Sequence, residues 1–264
     1  MSATGILNGH HALVTGAGSG IGAAIARVLA HAGAHVGLAG RRRAPLEEVA
    51  ATLPQGMTKV LDGVDVTDPD PDAVASGVRL AREEFGPISI LVNNAGEAPS
   101  APFEKTDAAL WDRVVSIDLT GVFHVTQAVL PDLKQRGSGA RLINVASTAG
   151  LTGYPYVAAY CAAKHGVIGL TRALALEFAR SGITVNAVCP GFTETPLIER
   201  AVATIVAKTG RDSDAARAEL AKSNPQGRPV TPDEVADTVL WLASPGASSI
   251  NGQAIVVAGG EVMT

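Results

Sequence analysis

The sequence predicts a doubly wound α/β fold, in which helices cover both faces of a parallel sheet of about seven strands. Short β-branched runs alternate with helical stretches almost from end to end, which is typical of βαβ units. The strand candidates are continuously apolar, as expected for strands buried on both sides. The 264 residues are 47% hydrophobic and only 17% charged, and no linker or repeat divides them. We therefore expect one globular domain over 1–264.

The first strand–helix unit shows the pattern that repeats along the chain. Residues 11–15 are an apolar strand candidate, followed by an amphipathic helix candidate at 20–32 that Gly33 is positioned to end. Further strands are expected at 36–40, 59–64, 88–92, 141–145, 183–188 and 254–257, and helices near 44–53, 71–85, 107–134, 156–180 and 232–243. Right-handed crossovers between such units produce a doubly wound sheet.

One insertion, 195–229, breaks this alternation and is rich in alanine and in charges of both signs. Amphipathic helices outside the sheet are candidate lids over a substrate cleft. The basic residues of the insertion would suit a phosphorylated carrier, and they include Arg200, Lys208, Arg211, Arg217 and Lys222. A solvated helix pair without a role in binding is an equally good interpretation of the same pattern.

Composition and charge exclude several classes of protein. The net charge of −4 leaves no basic face for a nucleic-acid partner. The two cysteines, Cys161 and Cys189, lack CxxC spacing, and the six histidines contain no HExxH pair, so we expect no disulfide framework and no metal site. The uncharged stretches 1–26 and 142–163 are interrupted by glycine and polar residues, unlike a secretory signal or a membrane helix. A cytoplasmic protein is expected.

A glycine-rich stretch at 15–22, with the sequence TGAGSGIG, lies between the first strand and the first helix. Glycines permit a tight turn and a close approach of a pyrophosphate to the backbone, and a helix N-terminus offers free N–H groups to its charge. Glycines also serve ordinary turns. The position between a strand and a helix nevertheless favours a Rossmann-type dinucleotide-binding loop.

Three residues further along the chain suit proton transfer. Tyr160 and Lys164 are four residues apart and would share one face of a helix. A nearby ammonium favours phenolate and would draw the pKa of Tyr160 from about 10 toward neutral pH, making it a general acid and base. Ser147 follows an apolar strand, where its hydroxyl would donate to a substrate oxygen. Each residue alone is more often structural, but the three together behind a phosphate loop favour catalysis.

With these motifs in order, essentially the whole chain resembles the short-chain dehydrogenase/reductase family. The glycine loop is similar to the family's TGxxxGxG motif, 93–96 to its NNAG motif, and 160–164 to its YxxxK motif. The stretch 182–196 is most similar to ketoacyl and polyketide ketoreductases. Motifs and resemblance together assign the cofactor to Gly16, Ser19, Gly20, Ile21, Gly22, Arg41, Asp65, Val66, Asn93, Ala95, Gly96, Tyr160, Lys164, Pro190, Gly191, Thr193 and Thr195.

The resemblance implies an NAD(P)-dependent enzyme that interconverts a ketone and a secondary alcohol. In this mechanism Tyr160 transfers the proton, Lys164 tunes it and Ser147 polarises the substrate oxygen. The candidate substrate is a 3-ketoacyl thioester on CoA or a carrier, or a similar extended ketone. Two alternatives stay open: an NAD-dependent dehydrogenase of a small or cyclic alcohol, and a dinucleotide-binding subunit without turnover. The resemblance also implies a homotetramer, with interfaces at the helix 156–180 and the terminal segment 252–260.

NADP(H) is expected in preference to NAD(H). Users of NAD commonly place an acid at the end of the second strand, where it accepts from the ribose 2′-OH. Here that strand ends in Gly40 and continues into an arginine run at 41–43, of which Arg41 would pair with a 2′-phosphate. Ser19 argues against this preference, because many NADP-preferring relatives carry a basic residue at its position.

Asp118 departs from the family pattern, since most relatives have Asn at this position. In those relatives the Asn completes a tetrad with the residues that correspond to Ser147, Tyr160 and Lys164. In the family, the backbone carbonyl at this position holds a water that links the lysine to solvent, and this carbonyl is unchanged when Asp replaces Asn. An ionised Asp side chain is only an acceptor, and near Lys164 it would stabilise the ammonium and offset part of its effect on Tyr160. A role limited to bracing the helix is the alternative.

Overall fold

The computed structural model describes residues 5–68, 70–210 and 212–263. The strands in these ranges are β1 (His11–Thr15), β2 (His35–Ala39), β3 (Thr58–Leu61), β4 (Ile90–Asn93), β5 (Arg141–Val145), β6 (Thr184–Pro190) and β7 (Ala254–Val257). All pair in parallel in the order β3-β2-β1-β4-β5-β6-β7. The order reverses between β1 and β4, which creates the crevice in which doubly wound folds bind ligands. The predicted fold class is confirmed.

Helices form a layer on each face of this sheet. The helices in the described ranges are α1 (Gly20–His31), α2 (Arg43–Ala50), α3 (Pro71–Phe85), α4 (Ala108–Val115), α5 (Gly121–Arg136), α6 (Ala158–Phe178), α7 (Pro196–Thr209), α8 (Ser213–Ala221) and α9 (Pro232–Ala243). One apolar core joins α1, α2 and α9 to the sheet, and a second core joins α3, α5 and α6 to the opposite face. The central strands are buried from both sides, which explains their continuous apolar sequences.

The helix expected at 107–134 consists of α4 and α5 joined by a π-helical turn, Ser116–Thr120. This turn buries Asp118 completely. The stretch Ala108–Arg136 is long and apolar enough to cross a membrane, judged by length and composition alone. In the fold, 44% of its apolar 18-residue segment is buried. It serves here as part of a helical layer on the sheet.

The insertion forms α7 and α8, and its two ends meet. The Glu194 N–H donates to the Val230 carbonyl (2.9 Å), and the Val230 N–H donates to the Phe192 carbonyl (2.8 Å). Arg217 pairs with Glu199 at 2.6 Å and links the two helices. Arg211 and the side chains of Arg200 and Lys208 lie outside the described residues, so their binding role stays a prediction.

Candidate active site

The glycine loop lies at the carboxyl end of β1 and leads directly into α1. Gly16 and Gly20 have φ values of +65° and +53°, which favour glycine. A Cβ on Gly22 would collide with the carbonyl oxygen of Gly16. Ser19 occupies the N-cap of α1, yet its side chain makes no cap hydrogen bond. The loop therefore presents bare backbone and free N–H groups, as a phosphate site requires.

Thr15 and Asn94 fasten this loop to the end of β4. Asn94 Nδ2 donates to the carbonyl of Thr15 at 2.9 Å and to that of Gly16 at 3.3 Å. Thr15 Oγ1 accepts from the N–H groups of Asn94 (2.9 Å) and Ala95 (3.0 Å). This brace was not predicted from the sequence, although a polar residue at the end of β1 and another directly after β4 were a usable signal.

The other predicted cofactor residues gather at the same edge of the sheet. Asn93 is buried, and its amide donates to Asn144 (2.9 Å), so this side chain braces β4 against β5 beneath the loop. Asp65 accepts two hydrogen bonds from Thr67, which fix the turn after β3.

The segment after β6 closes over the glycine loop. Thr193 Oγ1 donates to the carbonyl of Gly191 at 2.9 Å, and Thr195 Oγ1 donates to the carbonyl of Thr193 at 3.2 Å. The side chain of Thr195 lies directly against Gly20, where an added Cβ would be 3.2 Å from its Cγ2. The fold thus brings the predicted residues of 16–22 and 190–195 together.

The arginine run after β2 divides into two kinds of side chain. Arg43 is held by Glu47 (2.6 Å) and Asp62 (3.3 Å). Arg41 and Arg42 are exposed and form no ion pair within the part of the chain that the structure describes. Only these two are therefore free to meet an incoming phosphate.

The candidate catalytic residues meet beside the end of β5. Helix α6 places Tyr160 and Lys164 on one face, with Lys164 Nζ 5.5 Å from the centre of the Tyr160 ring. Lys164 is only 3% exposed, and its ammonium donates to the Val145 carbonyl at 3.1 Å. Ser147 is the N-cap of the short 3₁₀ turn after β5, and its hydroxyl lies within hydrogen-bonding reach of Tyr160, lowering the pKa of that phenol.

Asp118 joins this group from the π-helical turn. Its Oδ1 lies 3.2 Å from Lys164 Nζ, and its Oδ2 accepts from the N–H of Glu97 at 3.3 Å. A Cβ on Gly96 would lie 2.6 Å from Asp118 Oδ1, so only glycine leaves room for the ion pair. The two buried charges compensate each other, as buried ions must.

The pKa values in this group depart from their ordinary values. Burial and the Asp118 carboxylate raise the pKa of Tyr160, whereas Lys164 and Ser147 lower it. The net result is a pKa above the ordinary value for tyrosine. The expected net fall in the pKa of Tyr160 is therefore wrong, because loss of water outweighs the ammonium. Burial lowers the pKa of Lys164, but Asp118 and Tyr160 more than offset this, so its net direction is also upward. Burial raises the pKa of Asp118 against the effect of Lys164.

A second polar group next to the site was not predicted. The Tyr154 hydroxyl donates to Glu261 Oε1 at 2.6 Å and lies 2.9 Å from Thr148 Oγ1. Burial and Glu261 raise the pKa of Tyr154 far above its ordinary value. A Cβ on Gly191 would lie 2.5 Å from Glu261 Oε2, so the end of the chain packs against the segment after β6.

Within the described ranges, no group of three His, Cys, Asp or Glu side chains is placed to hold a metal ion. The two cysteines, Cys161 and Cys189, are both free.

Comparison with known proteins places the chain among oxidoreductases. A family model described as enoyl-(acyl carrier protein) reductase matches residues 16–261. The D-β-hydroxybutyrate dehydrogenase of Cupriavidus necator is 40% identical over 97% of this chain and 99% of its own length. The cis-4-hydroxycyclohexanecarboxylate dehydrogenase of Sinomonas cyclohexanicum is 42% identical over 94% of this chain and 95% of its own.

A solved structure agrees with these matches. The crystal structure of an actinorhodin polyketide ketoreductase variant with NADPH has a TM-score of 0.87 and 39% identity, over 96% of this chain and 97% of that one. Sequence motifs, sheet order and relatives lead to one family. The chain belongs to the short-chain dehydrogenase/reductase family.

Proposed function

We propose that this chain is an NADP(H)-dependent oxidoreductase that interconverts a ketone and a secondary alcohol. The observation that carries the proposal is the group of Ser147, Tyr160, Lys164 and Asp118, assembled next to the glycine loop at the carboxyl edge of the sheet. The names of the relatives, two dehydrogenases of hydroxylated compounds and one ketoreductase, support the same chemistry.

The residues present fit a dinucleotide. The bare backbone around Gly16 and Gly22 and the free N–H groups of α1 suit the pyrophosphate. Arg41, which is unpaired among the described residues, suits a 2′-phosphate, and NADPH accompanies the solved ketoreductase. When bound, the cofactor supplies the hydride that adds to the carbonyl carbon. Its nicotinamide amide would be held by Pro190, Gly191, Thr193 and Thr195.

The protein's own residues then transfer one proton to the substrate oxygen. Tyr160, with its raised pKa, stays protonated at neutral pH and gives its proton to the carbonyl oxygen. The Ser147 hydroxyl donates to the same oxygen as negative charge develops there. Lys164, fixed by Asp118 and the Val145 carbonyl, stabilises the phenolate left behind. Alcohol oxidation runs the same steps backward and needs Tyr160 deprotonated.

The substrate proposed first is a 3-ketoacyl thioester or a similar extended ketone, and a small or cyclic hydroxy acid is the second candidate. The stretch 182–196 and the solved ketoreductase favour the first. The two dehydrogenase relatives favour the second. In either case α7 and α8 would serve as the lid, since they begin at Thr195 against the glycine loop.

We also propose a cytoplasmic homotetramer. Large apolar side chains lie exposed on three neighbouring helices: Trp111 on α4, Phe123 on α5 and Leu176, which is 82% exposed, on α6. Large apolar side chains left exposed in this way favour subunit interfaces. The edge strand β7 offers unpaired backbone groups for a second interface. Free cysteines suit a reducing compartment.

The test is a panel of ketones scored by nicotinamide absorbance with NADPH and NADH in parallel. The panel includes β-ketoacyl thioesters, their free acids, cyclic ketones and aryl ketones. We expect turnover of at least one class, faster with NADPH, and its loss in Tyr160→Phe. The matched control is Tyr156→Phe, because Tyr156 is exposed in the turn before α6 and belongs to no part of the group above. Absence of turnover with every pair, or full activity in Tyr160→Phe, contradicts the proposal.

A further inference from the structure

A cavity of about 460 Å³ opens at the amino edge of the sheet, opposite the candidate active site. His11 and His35 are the first residues of β1 and β2, and Ser89 immediately precedes β4. The volume lies within the range of small-molecule sites. The cavity is lined by Gly9, His10, His11, His35, Phe85, Pro87, Ser89, Gln135 and Arg136.

The surroundings of this cavity carry uncompensated positive charge. None of the described residues that line it is acidic, and Arg136 at its rim forms no ion pair in the described ranges. Behind it Arg141 is only 4% exposed, and its guanidinium donates to the carbonyls of Ala140 (3.1 Å) and Ser244 (3.4 Å). Its Nε has no hydrogen-bond partner among the residues that the structure describes. A buried cation without a carboxylate is costly, and a nearby anion reduces that cost.

The acid and the imidazoles nearby do not cancel this charge. Asp132, whose charge acts on His11, is already paired with Arg82 at 2.7 Å. Burial lowers the pKa of His11, and burial together with Arg136 and Arg141 lowers the pKa of His10. The two rings are thus mainly neutral at neutral pH. The positive charges that act on the His10 ring of the cavity are those of Arg136 and Arg141.

Phe85 and His35 also give the cavity an aromatic wall. The His35 ring stacks on Phe85 with centroids 4.5 Å apart and 21° between planes, and His11 meets Phe85 edge-on at 5.5 Å. His11 donates through Nδ1 to the Gly86 carbonyl (2.8 Å), while its buried Nε2 has no partner in the described part of the chain. Such a wall suits a planar ring, and the volume exceeds that of a bare inorganic anion.

We infer that this cavity binds a small anion that carries a planar ring, with Arg136 meeting the charge and the Phe85–His35 wall meeting the ring. Aromatic carboxylates and nucleotides share this chemistry. The site is separate from the dinucleotide loop, since it lies at the opposite end of β1.

The test is a calorimetric titration of the full-length protein with benzoate, acetate (charge without a ring), benzyl alcohol (ring without charge) and adenosine monophosphate. Histidine C–H signals are followed by NMR in parallel. Each titration is repeated with saturating NADPH, so that binding in the dinucleotide loop is recognised by its loss. We expect benzoate or the nucleotide to bind with NADPH present, at least about tenfold more tightly than acetate or benzyl alcohol, and to shift the histidine signals.

The variant Arg136→Gln should weaken this binding about tenfold or more. Its matched control is Lys134→Gln, because Lys134 lies in the same last turn of α5 but over the Phe178 ring, away from the cavity. A preference for benzoate over the nucleotide, or the reverse, identifies the class of ligand. The inference fails if neither ring-bearing anion binds, if acetate binds equally well, or if the two variants behave alike. The histidine signals keep this result separate from the proposed function, because they report on the cavity whether or not the protein turns over a ketone.

Discussion

Two buried cations lie at opposite ends of the same strand, β5, and the protein treats them differently. Lys164 donates to Val145 at the carboxyl end and is paired with the buried Asp118 at 3.2 Å. Arg141 begins the strand and has backbone carbonyls but no carboxylate partner among the described residues. An internal carboxylate holds the first cation in one position, which suits its proposed action on Tyr160. The second leaves its charge available to whatever enters the neighbouring cavity.

The largest expected effect comes from removing the proposed proton donor, the Tyr160 hydroxyl, which lies beside Lys164. Tyr160→Phe should reduce kcat by about 10²–10⁴-fold, because only the general acid is lost. NADPH affinity, measured by fluorescence titration, should stay within about twofold of the wild type, a change of under about 0.5 kcal/mol. Retention of wild-type kcat would remove Tyr160 from the mechanism.

Removing the cation of the Lys164–Asp118 ion pair should lower the free energy of unfolding. Lys164→Met leaves Asp118 buried without a counter-ion, and we expect a loss of about 3–5 kcal/mol in the free energy of unfolding by urea denaturation. The double variant Asp118→Asn/Lys164→Met should recover part of this loss, because neither charge remains. Equal destabilisation in the single and double variants would show that the pair contributes no coupling.

Arg41 is a surface counterpart of the two buried cations, since it is exposed and forms no ion pair among the described residues. Arg41→Ser should lower the ratio of kcat/KM for NADPH over NADH by about tenfold or more, the value of one charge-assisted contact to a phosphate. Arg43→Ser is the control, because Glu47 and Asp62 already hold Arg43. If both variants change the ratio equally, or neither does, Arg41 does not read the 2′-phosphate.

Removing only the anion of the Lys164–Asp118 ion pair should shift a pH profile. The Asp118 carboxylate raises the pKa of Tyr160, so Asp118→Asn lowers it. Alcohol oxidation needs Tyr160 deprotonated, and its rate should therefore rise at lower pH in Asp118→Asn than in the wild type. Superimposable pH–rate profiles would leave Asp118 with a bracing role only.

The smallest effect is expected at the other end of β5. Arg141→Met removes a buried charge that has no ionic partner to strand, so unfolding free energy should change by no more than about 1 kcal/mol. A loss as large as that of Lys164→Met would contradict the contrast between the two cations.

Much of this architecture was predictable from sequence, because apolar runs and glycine positions are local patterns. The strand at 141–145 and the helix after the glycine loop were placed correctly from such patterns. The contacts between distant residues were not predictable in the same way. Tyr154 and Glu261 are 107 positions apart, and only the fold reveals their hydrogen bond. The sign of the pKa shift of Tyr160 was also wrong, since burial cannot be judged from a four-residue spacing.

The meeting of the insertion's two ends at Phe192 and Val230 has an evolutionary consequence. The chain leaves and rejoins the sheet edge at a single point, so the segment between can lengthen, shorten or be exchanged at little entropic cost to the rest of the fold. If the insertion is the proposed lid, substrate choice can diverge among paralogues while the proposed catalytic residues stay unchanged. Transplanting 195–229 between relatives becomes a natural route to new catalysts.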